Sequence, residues 1–212
     1  MRCILIPIKD LTQAKQRLSP LLSQEERTQL AWTMFETVAK AAEEVPNVDA
    51  IVVVTSYHPA MEFARKRGFD VITEQEQVSE SASVDYASRA LQADGATAIL
   101  RLPADLPLVT TEDIEDIFAH EKSSPSCVIV PSRDGTGTNA LIRRPPTIFK
   151  SYFGPGSFEK HRSAAKRAGA KLVVLDLPRV ALDIDAPEDI EELKSVGPES
   201  STYALLVGFG KD

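Results

Sequence analysis

Apolar runs with strand spacing alternate with helical patterns along almost the whole chain, and this alternation limits the fold more than any other feature. Cys3 to Ile8 reads as a strand. Ser23 to Val45 then reads as a helix, opened by a Ser-x-x-Glu box (Ser23, Glu26) and carrying Leu30, Met34, Phe35, Val38 and Ala42 on one face. A strand over Asp49 to Ser56, a helix over Pro59 to Arg67 stopped by Gly68, and a strand over Asp70 to Thr73 follow. Ser83 to Leu91 is again helical, Thr97 to Leu102 a strand, and Thr111 to Glu121 a helix with acidic residues in its first turn. The pattern predicts an α/β fold with a mostly parallel sheet covered by helices on both faces.

The rhythm changes after Ser126. Cys127 to Val130 and Asn139 to Ile142 are strand-like, but Arg133 to Thr138 joins them, and its Asp134-Gly135 pair marks a tight turn rather than a helical crossover. Some antiparallel pairing is therefore expected beside the parallel core, and Pro145-Pro146 closes that unit. A helix over Ser157 to Arg167, strands over Lys171 to Asp176 and Val180 to Ile184, and a last helix over Pro187 to Leu193 complete the order. At 212 residues the chain fits one domain, read as residues 1–195, with the Gly- and Ser-bearing residues 196–212 as a partly disordered C-terminal tail.

The balance of 24 Lys+Arg against 31 Asp+Glu has the wrong sign for nucleic acid or an anionic membrane, so neither is expected as a partner and any anion needs a local cluster. Apolar runs such as Ala50 to Val54 are far shorter than a membrane span, and the N-terminus lacks the basic-then-apolar plan of a signal peptide. A cytoplasmic protein is expected. Cys3 and Cys127 each sit in a strand-like apolar run and read as buried free thiols, with no disulfide or zinc role.

Three groups of residues stand out as candidate sites. The first is IPIKDLTQAKQRL, which places Lys9, Lys15 and Arg17 where the first strand ends. Ordinary surface loops hold such residues too, but ligands of open α/β sheets bind beyond the carboxyl ends of strands, where cations meet phosphates. No P-loop motif is present. The second group is LPADLPL around Asp105 and LDIDAP with Asp183 and Asp185. Aspartate favours turns before proline, yet Asp183 and Asp185 are two apart in an extended segment and project to one side, and Asp105 completes the set if its strand end is near. Hard oxygen ligands without His or Cys favour magnesium.

The third group is Asp134-Gly-Thr-Gly-Thr-Asn-Ala140, a literal Gly-x-Gly-x-x-Ala match in the wrong context, because a β-like segment follows it where the dinucleotide fingerprint needs a helix. It reads as a hairpin loop whose amides and Thr hydroxyls can cradle a small anion. Further on, Phe153-Gly-Pro-Gly-Ser157 places a Gly-rich turn before a helix N-terminus, which serves equally as a plain cap or as a phosphate or carboxylate site. His161, one helical turn beyond Ser157, is a candidate to face the same ligand.

The segments IPIKDLTQAKQRLSPLLSQEER, LPADLPLV, SRDGTGTNALI, FGPGSFEKH and LDIDAPEDI together resemble, in family order, the CofC/FbiD guanylyltransferases of coenzyme F420 biosynthesis. Those enzymes join GMP from GTP to 2-phospho-L-lactate, phosphoenolpyruvate or 3-phosphoglycerate. The resemblance implies a single-domain GT-A-like, Rossmann-like nucleotidyltransferase sheet, with Mg2+ on Asp105, Asp183 and Asp185 and GTP as co-substrate. It matches Lys15, Thr138, Gly154 and Ser157 to positions holding the phospho-acid, and puts Lys9 and Arg17 beside the GTP phosphates. Before the third helix, Glu80-Ser-Ala-Ser-Val84 replaces the family's Gly-Leu-Asn-like element, so contacts to guanine fall to Ser81, Ser83 or backbone groups. The family also implies a homodimer and hand-over of the labile product to the next transferase. Two rivals are a sugar-phosphate or cytidine nucleotidyltransferase of the same fold, since fold does not fix substrate, and a non-catalytic nucleotide-binding module.

Overall fold

The structure is a computed structural model and describes residues 1–74 and 78–210. Strand β1 (Arg2–Pro7) runs through two short 3-10 turns into helix α1 (Gln24–Glu43), whose Ser23–Glu26 capping box forms as its sequence predicts. Strand β2 (Ala50–Thr55), helix α2 (His58–Lys66) and strand β3 (Asp70–Thr73) follow, then α3 (Glu80–Ala93), β4 (Ala98–Arg101) and α4 (Thr111–Ala119). The hairpin β5 (Ser126–Pro131) and β6 (Thr138–Arg144) precedes α5 (Ser157–Arg167), β7 (Lys171–Val174), the one-turn helix α6 (Pro178–Ala181), α7 (Pro187–Val196) and α8 (Ser201–Gly208).

Among the described residues the strands form one sheet in the order β3-β2-β1-β4-β6-β5-β7. Only β6 runs against its neighbours, pairing antiparallel with both β4 and β5. Alternation along the strands sorts the core into two layers. Ile4, Ile6, Val53, Leu100, Val128 and Ile142 pack under α1, α2 and α4. Cys3, Leu5, Val52, Val54 and Ile99 meet α3, while Cys127, Ile129 and Leu141 meet α5. No described helix is long and apolar enough to cross a membrane.

Two expectations fail, each for a local reason. Val180 to Ile184 is not a strand: Pro178 at the first helical position nucleates α6, and the chain then runs extended without a ladder partner. The alternation read there still holds, with Leu182 and Ile184 buried and Asp183 and Asp185 turned to the other side. The segment read as a tail is ordered through α8, capped by Ser200, with Leu206 fully buried beside Leu30 and Met34 of α1.

Candidate active site

The parallel strands and the reversed β6 all deliver residues to one edge of the sheet, where a cleft of about 910 Å³ opens. Lys9, Lys15 and Arg17 come from the loop after β1, Asp105 from the loop after β4, Thr138 from the start of β6, and Asp183 and Asp185 from the extended segment after α6. Gly154 and Ser157 line the opposite wall.

Lys15 stands between the 3-10 turns in the left-handed region, φ 51° and ψ 46°, a conformation that costs a non-glycine residue energy and so needs a surrounding that fixes it. Its Nζ donates to Asp105 Oδ2 and to Asp185 Oδ1, both at 2.7 Å. One oxygen from each of Asp105, Asp183 and Asp185 lies within 4.8 Å of the others. Burial opposes a charge on Lys15, yet the two carboxylates outweigh it and push its pKa up. Asp105, which burial alone would raise, is held below the usual range by the Lys15 ammonium. Among the described residues no cation forms an ion pair with Asp183: burial, then the nearby Asp105, raise it to about 6, although Asn139 Nδ2 donates to its Oδ1 at 3.0 Å and the more distant Lys15 charge opposes the rise. A partly buried, mutually repelling oxygen set with one member short of a counter-charge fits a hard divalent cation.

The far wall differs from expectation in several places. In the Asp134–Thr138 loop, Asp134 accepts from Ser132 Oγ at 2.6 Å, Thr136 N at 2.9 Å and Thr136 Oγ1 at 2.7 Å, which lowers its pKa to about 2. The Thr136 amide and hydroxyl proposed to cradle an anion there are thus consumed within the loop, whereas the Thr138 hydroxyl is not bound to Asp134. Gly156, at φ 69°, caps α5, so Ser157 is its first residue rather than its cap. The amides of Ser157 and Phe158 donate to the carbonyls of Gly154 at 3.0 Å and Thr136 at 3.1 Å, so the helix end offers fewer free amides than the turn implies.

His161 is fully buried and does not line the cleft. Burial, then the charges of Arg143 and Arg101, depress its pKa to about 3. Ser81 does not line the cleft either, and its Oγ accepts from Phe153 N at 2.8 Å; Ser83 does line it, with its hydroxyl donating to Ser79 O at 3.0 Å.

Sequence reasoning missed three wall residues. Arg101, at the end of the otherwise apolar β4, is buried with its NH1 on the carbonyls of Thr138 and Asn139, both at 3.1 Å, and its NH2 on Glu80. The centroid of the Phe153 ring lies 4.1 Å from its guanidinium carbon. Glu80 also lines the cleft, and Asn139 ties Asp183 to α6 through Val180 O at 2.9 Å. The available signal was a lone arginine closing an apolar strand, a position where charge is rarely buried without a role.

The fold recurs among solved nucleotide-handling proteins. A protein from Desulfovibrio desulfuricans G20 described as a nucleotide-diphospho-sugar transferase superposes with a TM-score of 0.77 at 16% identity, over 99% of this chain and 95% of that one. A nucleotidyl transferase from Methanothermobacter thermautotrophicus gives 0.65 at 18% identity, over 92% and 96%. In sequence, the chain is 36% identical to the phosphoenolpyruvate guanylyltransferase of Rubrobacter xylanophilus, covering 91% of this chain and 93% of the relative. It is 30% identical to the 2-phospho-L-lactate guanylyltransferase of Methanothermobacter thermautotrophicus, covering 90% and 83%. The family model described as guanylyl transferase CofC-like matches residues 2–211. With the family model matching nearly the whole chain and relatives of 30–36% identity covering most of it, the chain belongs to the CofC-like guanylyl transferase family of nucleotidyltransferases.

Proposed function

We propose that this protein transfers GMP from GTP to the phosphate of a small phospho-carboxylic acid, with phosphoenolpyruvate the first choice, and so serves coenzyme F420 biosynthesis. The observation that carries this reading is a single cleft lined by Lys9, Lys15 and Arg17, by the clustered Asp105, Asp183 and Asp185, and by Thr138, Gly154 and Ser157, with Lys15 bonded to two of the carboxylates. The names of the relatives in Rubrobacter xylanophilus and Methanothermobacter thermautotrophicus support guanylyl transfer and a phospho-acid acceptor.

A phosphate oxygen of the acceptor attacks the α-phosphorus of GTP in line, the bond from that phosphorus to the bridging oxygen breaks, and pyrophosphate leaves with the electron pair. The reaction needs position and positive charge more than an activated nucleophile. Lys9 and Arg17, exposed on the loop after β1, meet the phosphate chain of GTP, and Lys15 bridges toward the acceptor. Asp105, Asp183 and Asp185 would hold Mg2+, which when bound supplies charge neutralisation to the phosphates. The Ser157 hydroxyl and Thr138 face the acid end of the acceptor.

Pyrophosphate release measured for GTP, ATP and CTP against phosphoenolpyruvate, 2-phospho-L-lactate and 3-phosphoglycerate tests the reading. GTP with at least one phospho-acid should turn over and the other nucleotides should lag far behind. Preference for CTP, or for a sugar 1-phosphate, would overturn it.

A further inference from the structure

His161 is fully buried among Phe149, Tyr152 and Phe153, with its ring centroid 4.9 Å from that of Phe153, yet both of its ring nitrogens are engaged. The backbone N–H of Tyr152 donates to Nε2 at 2.8 Å. A backbone amide is only ever a donor, so Nε2 carries a lone pair and the proton of the neutral ring sits on Nδ1. Nδ1 lies 3.0 Å from Thr138 Oγ1, which therefore accepts from the imidazole. The hydroxyl's own hydrogen is then left to donate elsewhere, and among the described residues no other partner of Thr138 Oγ1 is found. Thr138 lines the cleft.

We propose that His161 is a positioning residue for the acceptor: by fixing its proton on Nδ1 it turns the Thr138 hydroxyl into a donor directed at an anionic oxygen of the phospho-acid. Were Nε2 protonated instead, it would face the Tyr152 amide donor to donor, and Thr138 would spend its hydrogen on the ring rather than on a ligand. The surrounding field keeps the ring neutral, since burial and the cations Arg143, Arg101 and Lys160 outweigh the opposing Asp85. A hydroxyl locked as a donor favours an anion over a neutral sugar hydroxyl, which can itself donate, and so contributes to choice of substrate. The inference rests on the acceptor reading of the Thr138 wall given above.

Steady-state kinetics with GTP and phosphoenolpyruvate test it. In His161→Gln the side-chain carbonyl can still accept from Tyr152 but nothing remains to donate at the Nδ1 position, whereas His161→Asn returns an N–H near Nδ1. His161→Gln should raise the acceptor KM about ten- to a hundredfold, the worth of one hydrogen bond to a charged group, with the GTP KM unchanged. His161→Asn should recover most of that rise. In a Thr138→Val background His161→Gln should add nothing, because the group it acts through is gone. KM does not depend on the folded fraction, so partial instability of a variant leaves the comparison intact.

A second readout needs no turnover: 15N NMR of the imidazoles, with the His161 signal identified by its loss in His161→Gln, should show a protonated Nδ1 and an unprotonated Nε2. Equal rises in both KM values, no recovery in His161→Asn, additivity with Thr138→Val, or a proton on Nε2 would each overturn the inference. An acceptor KM indifferent to Thr138→Val would overturn the acceptor reading itself, and this inference with it.

Discussion

Lys15 and Asp185, 170 residues apart in the chain, meet at 2.7 Å inside the cleft, and the ammonium that joins them also reaches Asp105. The lysine supplies the acidic cluster with charge from within the chain, which explains why a backbone position in the left-handed region is retained there. Lys15→Met should leave three carboxylates facing one another. Removing one partner of a buried ion pair costs about 3–5 kcal/mol, and the half-exposed Asp185 side chain brings the expectation here to about 1–3 kcal/mol. Thermal unfolding without divalent cations measures the loss, and added magnesium should recover more stability in the variant than it gives the parent. An unchanged melting temperature would show that the pairing contributes nothing.

Asp183 illustrates a conflict between stability and activity. Its pKa is raised to about 6, so the ionised form is disfavoured by the fold at neutral pH. Asp183→Asn keeps the acceptor for Asn139 and removes the buried charge, and should stabilise the protein by on the order of 2 kcal/mol. The same change deletes a ligand of the proposed cation and should cut turnover roughly 100- to 1000-fold. Chemical denaturation together with pyrophosphate release checks both halves, and full activity in the variant would remove Asp183 from the cation site.

The buried imidazole predicts an acid-sensitive fold. His161 has a pKa of about 3 in the folded state against 6.5 when exposed, so the unfolded chain binds the extra proton between those values. Its contribution to stability is complete above pH 6.5 and is lost as pH falls toward 3, with a slope of about 1.4 kcal/mol per pH unit within that window. His161→Gln should be less stable near neutrality but show a shallower slope from pH 6.5 downward. Parallel curves for the two proteins would mean that His161 is solvated or charged in the native state.

The thiols should be silent in catalysis. Burial pushes Cys3 up to about 11 and Cys127 up to about 12, so neither is a thiolate at neutral pH. Each change to alanine should cost on the order of 1 kcal/mol through a small cavity and leave kcat unaltered. Titration with a thiol reagent should find both groups protected until the protein unfolds, and rapid labelling with loss of activity in the native state would contradict their placement.

Much of this architecture was legible because its signals are local. Alternating strand and helix periods, the Ser23–Glu26 box and the Asp134-Gly135 turn each act within a few residues, and each forms as read. The carboxylates could be picked out one by one for the same reason, but the meeting of Asp105 and Asp185 on Lys15, with Asp183 close by, depends on β1, β4 and the segment after α6 ending at one edge, which no local pattern states. The misses come from competition between local and tertiary demands. Pro178 started a helical turn where β-branched and apolar residues promised a strand. The 196–212 segment was set apart on its Gly and Ser residues, yet Leu205, Leu206 and Phe209 recur at helical spacing behind the Ser200 cap and found a face on α1. His161 was placed toward the ligand on spacing alone, whereas the aromatic residues packed around it and the Thr138 hydroxyl draw it inward.

A phospho-acid acceptor and a GTP donor together define the proposed reaction. Incubating the protein with GTP, magnesium and phosphoenolpyruvate and resolving the products by mass spectrometry tests both at once. A single adduct of GMP joined to the acid through its phosphate is expected, formed in step with pyrophosphate and absent when the acid is left out. GTP consumed equally without the acid, or an adduct formed instead with glucose 1-phosphate, would contradict it.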